Sequence, residues 1–397
     1  MCNGTDIVKV KTIHGQFDFR LQKYLVKGKS CNYFDLTSQL TTGNISQGLQ
    51  ELVAYYSNRL SYQEVEDLVA RISGEKLLSD QKIWEIVVNK AVAISKKWQS
   101  EIESIKQEIP IAPTVDIYEP LTEEILLFDD GIGVKKQKAH RLRRGNLGVK
   151  TEQEETRSKK PDVVMTESDL PQKKPKRKTV ITDIVLLQTP KGNFESLTSP
   201  IDNQGHSLIP LEEIVKYKLK CYYKNYDYPL PIVAITDGAS NIRKRLNKLS
   251  CKGITLILDW YHLCKKMREF LSMITRNKTE KIEHSKFLFF NLWRGNTSEV
   301  ITYLQSKIKA RNQQKLDEII TYITKHKSEI INYELRRQAG KTIGSGRMEK
   351  RVDLVIGHRQ KHKGMSWSSL GSKALAILKV TECNGLWRQT WFTEKAS

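Results

Sequence analysis

The chain has 397 residues, with 66 Lys and Arg against 45 Asp and Glu, a formal net charge of +21. That length carries two or three domains with a sizeable core, and that charge argues against an enzyme of small metabolites and for a polyanionic partner, nucleic acid first. The six cysteines form no C-x-x-C pair, no apolar run approaches the roughly 18 residues that span a bilayer and the N-terminus lacks a signal-peptide core, so the expectation is a reducing cytoplasm without zinc module, disulfide framework or membrane anchor.

Residues 1–45 read as a strand-rich segment, with strands expected over Asp6 to Ile13 and Gln16 to Leu21. Three helices follow within 46–109: Gln47 to Leu60, Tyr62 to Ile72 and Asp80 to Ala93. Ser61 with Glu64 three residues on forms a capping box, Gly74 ends the second helix, and Ser79 caps the third. Two helices joined by a tight glycine-containing turn are the helix-turn-helix arrangement, whose last helix enters the major groove; an ordinary three-helix bundle is the competing reading. Lys96 to Glu108 continues as a charged helix, and Pro110, Pro113 and Pro120 mark a linker.

Over 120–275 the pattern becomes α/β. Glu124 to Phe128 reads as a strand ending in Asp129-Asp130-Gly131. Residues 135–178 are dense in Lys and Arg, nearly free of aromatics and broken by prolines, a long basic loop in which Lys173, Lys174, Lys176, Arg177 and Lys178 form a phosphate-binding arm. Val180 to Gln188 returns as a second strand, and a helix opens after Pro210. Two apolar runs then each end in an acid that opens a helix: Ile232 to Ile235 before Asp237-Gly238, and Ile254 to Leu258 before Asp259. In open α/β sheets, chemistry collects beyond the carboxyl ends of the strands. Residues 279–337 are helical throughout, and 338–397 hold a glycine-rich turn, a helix bearing Glu349, and a basic end with Arg359, Lys361, Lys363 and Trp367, cations beside an aromatic that can stack on an unpaired base.

Asp130, Asp237 and Glu349 thus stand in order along a strand-rich core interrupted by a helical insertion. This order resembles the ribonuclease H-like fold of the DDE transposases. The stretch DGASNIRKRL, the Asp259-x-x-His262 pair and the block GSGRMEKRVDLVIGHRQKHKGMSWS are most similar to Mutator-related prokaryotic insertion-sequence transposases, over roughly residues 45 to 390. The resemblance implies an α/β, ribonuclease H-like mixed sheet with a helical insertion, preceded by a helix-turn-helix-like DNA-binding domain. It implies metal-dependent cleavage and strand transfer at transposon ends, with Asp130 bridging two Mg²⁺ ions, Asp237 and Glu349 each holding one, and Mn²⁺ able to substitute. Two such ions stabilise the attacking and leaving oxygens of a phosphodiester, and Mg²⁺ prefers carboxylate oxygen. Asp259 and His262 become accessory residues that orient the centre or touch the DNA end; as a simpler reading, Asp259 caps the helix that starts at Trp260. Asp129 and Asp353 are the alternatives to Asp130 and Glu349. The expected partners are transposon-end and target DNA and further copies of the chain, in a prokaryotic nucleoid. The competing functions are a structure-selective endonuclease of the same fold and a non-catalytic DNA-binding regulator or domesticated relic.

Overall fold

The structure is a computed structural model that describes residues 2–37, 44–104, 113, 116–137, 179–224, 230–249, 253–361 and 364–392. Strands β1 (Cys2–Thr12), β2 (Gly15–Val26) and β3 (Lys29–Cys31) form an antiparallel meander, longer than the expected strands. Lys27 and Gly28 both take positive φ, 49° and 79°, as a two-residue hairpin with right-handed strand twist demands. The short α1 (Tyr33–Thr37) follows.

Helices α2 (Gln47–Ser57) and α3 (Tyr62–Ser73) start on serine caps, and at Ser61 both halves of the capping box are made. Gly74 closes α3 at φ 78°. Helix α4 (Asp80–Glu103) is capped by Ser79 and runs without a break from the expected Asp80 to Ala93 segment into the charged one that begins at Lys96. It buries Ile83, Ile86, Val87, Val88, Ala91, Val92 and Ile94 against α2, α3 and the late helix α14 (Ser369–Cys383). Much of the circumference of its middle is therefore spent on packing: between Lys82 and Trp98 it exposes Asn89, Ala93, Lys96 and Lys97, and its two ends are more open.

The second sheet has five strands in the order β6-β5-β4-β7-β8: β4 (Ile125–Lys135), β5 (Thr179–Gln188), β6 (Phe194–Leu197), β7 (Ile232–Thr236) and β8 (Ile254–Leu258). β4, β7 and β8 are mutually parallel, and β5 runs antiparallel to β4 and β6. The architecture is thus mixed α/β. The expected strand end at Phe128 is corrected: β4 continues through Asp129 and Asp130 to Lys135, because antiparallel pairing with β5 continues to Lys135–Thr179 after the parallel ladder with β7 stops at Phe128–Ile235.

Both faces of this sheet are covered, which is why its central strands read as unbroken apolar runs. On one face Ile125, Leu127 and Ala234 pack with α5 (Leu211–Tyr223) and α6 (Ser240–Lys248). On the other, Leu126, Phe128 and Ile235 belong to the larger core with α7 (Trp260–Ile274) and α14. The insertion consists of α8 (Lys278–Trp293), α9 (Thr297–Ser306), α10 (Gln313–Lys325) and α11 (Tyr333–Gln338). Leu288, Leu292, Ile319, Ile323 and Ile330 are buried there, whereas Ile282 and Phe287 are exposed. Then come α12 (Gly346–Val352), a π-helical turn over Asp353–Gly357, α13 (His358–Gln360), α14 and α15 (Trp387–Trp391). No helix among the described residues is long and apolar enough to cross a membrane.

Candidate active site

Side chains alternate across a strand, so the neighbours Asp129 and Asp130 project to opposite faces of β4. Asp129 goes with Ile125 and Leu127 toward α6, where Arg245 Nη1 meets its Oδ1 at 2.6 Å and Arg245 Nη2 meets Asp183 at 2.8 Å. Burial pushes the Asp129 carboxyl up to about 7 against the pull of Arg245. Its other oxygen is buried without a hydrogen-bond partner. Asp129 is thus occupied on the wrong face to replace Asp130.

Asp130 goes with Leu126 and Phe128 toward α12, which packs across β4. The parallel ladder ends at Phe128–Ile235, two residues before Asp130 and Asp237, and Asp259 follows Leu258 one strand further on. Asp130 Oδ1 accepts the Gly131 amide at 2.7 Å. Its carboxyl is held above the usual range by burial first; the Gly131 bond lowers it, Asp237 and Glu349 raise it and His262 lowers it again. Asp237, Glu349 and His262 are thus the side chains that act most on Asp130. Asp353 lies against Gly357, where an added Cβ would sit 2.2 Å from its Oδ1.

Asp237 directly follows β7 and its Oδ1 accepts the Ala239 amide at 2.7 Å, which turns the chain into α6. Gly238 takes φ 80°, a conformation glycine adopts without penalty. Glu349 is exposed in the first turn of α12. That turn is secured from the end of β8. Asp259, 2% exposed, receives the His262 amide on Oδ1 at 2.8 Å and both the amide and the hydroxyl of Ser345 on Oδ2. The Trp260 amide adds a bond to Ile343 O at 3.1 Å. A Cβ on Gly344 would lie 2.5 Å from the Tyr261 ring, so glycine is what lets this segment close on α7. Asp259 therefore caps α7 and joins it to the residue that precedes α12, while His262 is half-buried and lowers the Asp130 carboxyl from across the site. Asp259→Ala is expected to cost about 1–3 kcal/mol of unfolding free energy, the lost cap giving about 1 and the stranded Ser345 donors the rest. A urea titration that shows a loss below about 0.5 kcal/mol would leave Asp259 no structural role.

Among the described residues no three His, Cys, Asp or Glu side chains are gathered closely enough to hold a metal ion. Asp130, Asp237 and Glu349 act on one another electrostatically without forming one coordination sphere, and the Glu349 side chain is exposed. Their chemistry still fits a hard divalent cation: the donors are all carboxylate, and the two that face Asp130 disfavour its charge, a repulsion that such a cation relieves.

Two expected DNA contacts are corrected. Arg359 and Trp367 are each 6% exposed. Arg359 donates to Ser57 O at 2.8 Å and lies 4.9 Å from the Trp367 ring centroid, and Trp367 donates its indole N–H to Gln360 O at 3.0 Å. They join the end of the chain to the N-terminal helices and are closed to a ligand. Lys361 is exposed. Lys363 and the arm of Lys173, Lys174, Lys176, Arg177 and Lys178 lie outside the described residues. Arg347 went unnoticed in the sequence: it is exposed two residues before Glu349 and donates to Gln188 Oε1 at 2.5 Å. Its signal was adjacency to the acid within a basic block.

No known family model matches the chain, and no curated protein matches it. Among solved structures it is similar to a Drosophila P element transposase strand transfer complex, with a TM-score of 0.26 and 9% identity over 86% of this chain and 80% of that one. A likeness of that size carries no argument about this chain.

Proposed function

We propose that the protein is a DNA transposase with a ribonuclease H-like catalytic core. What supports this reading is topological: Asp130 lies on β4, Asp237 directly follows the parallel neighbour β7, and Glu349 lies on α12, which comes after the insertion and packs across β4. The strand order, with β5 antiparallel to both of its neighbours and β4, β7 and β8 parallel, agrees with it. Asp130, Asp237 and Glu349 would hold the Mg²⁺ pair, which when bound activates water and stabilises charge on the phosphodiester oxygens.

The chain's own residues bind and orient. Cations around the site, Arg347, Lys350 and Arg351 on α12 and Lys361 beyond it, hold backbone phosphates. Asp259 keeps α12 over the sheet, and His262 stands by Asp130 as a hydrogen-bonding group for the DNA end. Water adds to the scissile phosphorus and the 3′-oxygen leaves as a hydroxyl. That hydroxyl then attacks a target phosphate, displacing the target's own 3′-oxygen, so one phosphodiester forms as another breaks. We assign end recognition to residues 46–109 and sequence-independent phosphate contact to the arm at 173–178. Partner copies of the chain and a nucleoid location belong to the same reading.

The test is incubation of the purified protein with plasmid DNA that carries the sequences flanking its own gene, with Mg²⁺ and with a chelator. Expected are 3′-hydroxyl ends at those flanks and joined target products, both lost with chelator. Nicking of branched DNA without end cleavage would favour the structure-selective endonuclease. Binding with no cleavage of any substrate would favour the regulator.

A further inference from the structure

A buried ionic cluster lies beneath the Asp237-Gly238 turn. His326, 1% exposed at the end of α10, has Nδ1 2.8 Å from Glu329 Oε2 and 2.8 Å from Arg243 Nη2. Arg243 Nη2 also meets Glu329 Oε1 at 2.5 Å. The same residues tie the backbone together: Glu329 O accepts the Leu258 amide at 2.9 Å, and the Glu329 amide bonds His326 O at 2.9 Å. A Cβ on Gly238 would lie 2.7 Å from His326 Cε1, so the imidazole supports the turn from below. Tyr322 rests on the His326 ring at 4.6 Å, and its buried hydroxyl has no hydrogen-bond partner. Burial first, then Asp237, Glu329 and Asp259, raise that hydroxyl, and Arg243 lowers it.

Stability alone does not explain this choice of residues. Burying an ion pair costs its desolvation, and well-packed apolar residues of similar volume hold a fold as well or better. What the cluster does is local. Arg243 sits on the helix that follows the Asp237 turn, and Glu329 and His326 both hold its Nη2.

We propose that Glu329 and His326, supplied by the helical insertion, are positioning residues for Asp237: they support its turn and keep Arg243 engaged, so that the carboxylate is free to take a divalent cation. This rests on the metal-dependent reading given above. On it, the insertion builds the floor of the second acid.

The experiment measures Mn²⁺ binding to metal-free full-length protein by calorimetry, beside cleavage as a function of Mn²⁺. Glu329→Gln is expected to weaken Mn²⁺ binding by about tenfold or more, as loss of a group behind a metal ligand does, with cleavage regained at high Mn²⁺. Arg243→Gln combined with Glu329→Gln should bind Mn²⁺ close to wild type, since the freed guanidinium is gone. The double variant decides the matter if the single one does not fold. Unchanged Mn²⁺ affinity in folded Glu329→Gln, or a double variant as weak as the single, overturns the proposal. Wild-type protein that binds no Mn²⁺ overturns the metal reading, and this proposal with it.

Discussion

Asp130→Asn, Asp237→Asn and Glu349→Gln are each expected to lower strand cleavage at least about a thousandfold, about 4 kcal/mol of barrier, with affinity for DNA nearly unchanged. Each substitution keeps the side chain's shape and removes one negative charge. Asp130 loses most, because it is the carboxylate on which the other two act. On the proposed function binding should survive, because phosphate contacts made by cations elsewhere would carry most of the affinity. Asp353→Asn should cleave normally, since Asp353 lies against Gly357 in the π-helical turn. Gel-shift and nicking assays on the same preparations give the answer. Near-normal cleavage by any one of the three variants removes that residue from the metal set.

Arg336→Met is expected to lower the unfolding free energy by about 3–5 kcal/mol, the usual cost of leaving a buried charge without its partner. Arg336 is fully buried. It donates to Glu124 at 2.5 Å, to Ile117 O at 2.9 Å and to Thr342 O at 2.8 Å, which fastens α11 to the start of β4 and to the segment that leads into α12. Lys341 remains 3.3 Å from Glu124 in the variant, so the lower end of the range is expected. Arg336→Lys should rescue little, because one ammonium cannot reproduce a fork that serves three partners. Urea unfolding at several wavelengths measures it. A loss below about 1 kcal/mol would mean that the network is dispensable.

The acids themselves were legible in the sequence, but not which oxygen-bearing neighbour faces which side. Asp129-Asp130-Gly131 looks like a turn after an apolar run, and only pairing with β5, supplied by residues about fifty positions later, keeps it extended. Once it is a strand, alternation assigns Asp129 to Arg245 and Asp130 to the α12 side. Arg359 and Trp367 failed for a related reason. A Lys- and Arg-rich segment with a tryptophan has the composition of a binding surface, while the group that buries Arg359 is the carbonyl of Ser57, 302 residues away. His326 and Glu329 gave no signal at all, being two polar residues at the end of one helix among many.

What the sequence determined by itself is the local part. Serine caps, the positive-φ glycine at position 74, helical spacing in the insertion and apolar runs closed by Asp237 and Asp259 all depend on residues within a few positions of one another, where steric limits and hydrogen-bond reach act directly. Tertiary structure alone decided the course of β4 past Phe128, the burial of Arg359, the link from Asp259 to Ser345 and the support of Gly238 by His326. Those contacts join segments tens to hundreds of residues apart. They form because two covered sheet faces must be filled and their buried polar groups paired, a condition on the whole chain that no local pattern carries.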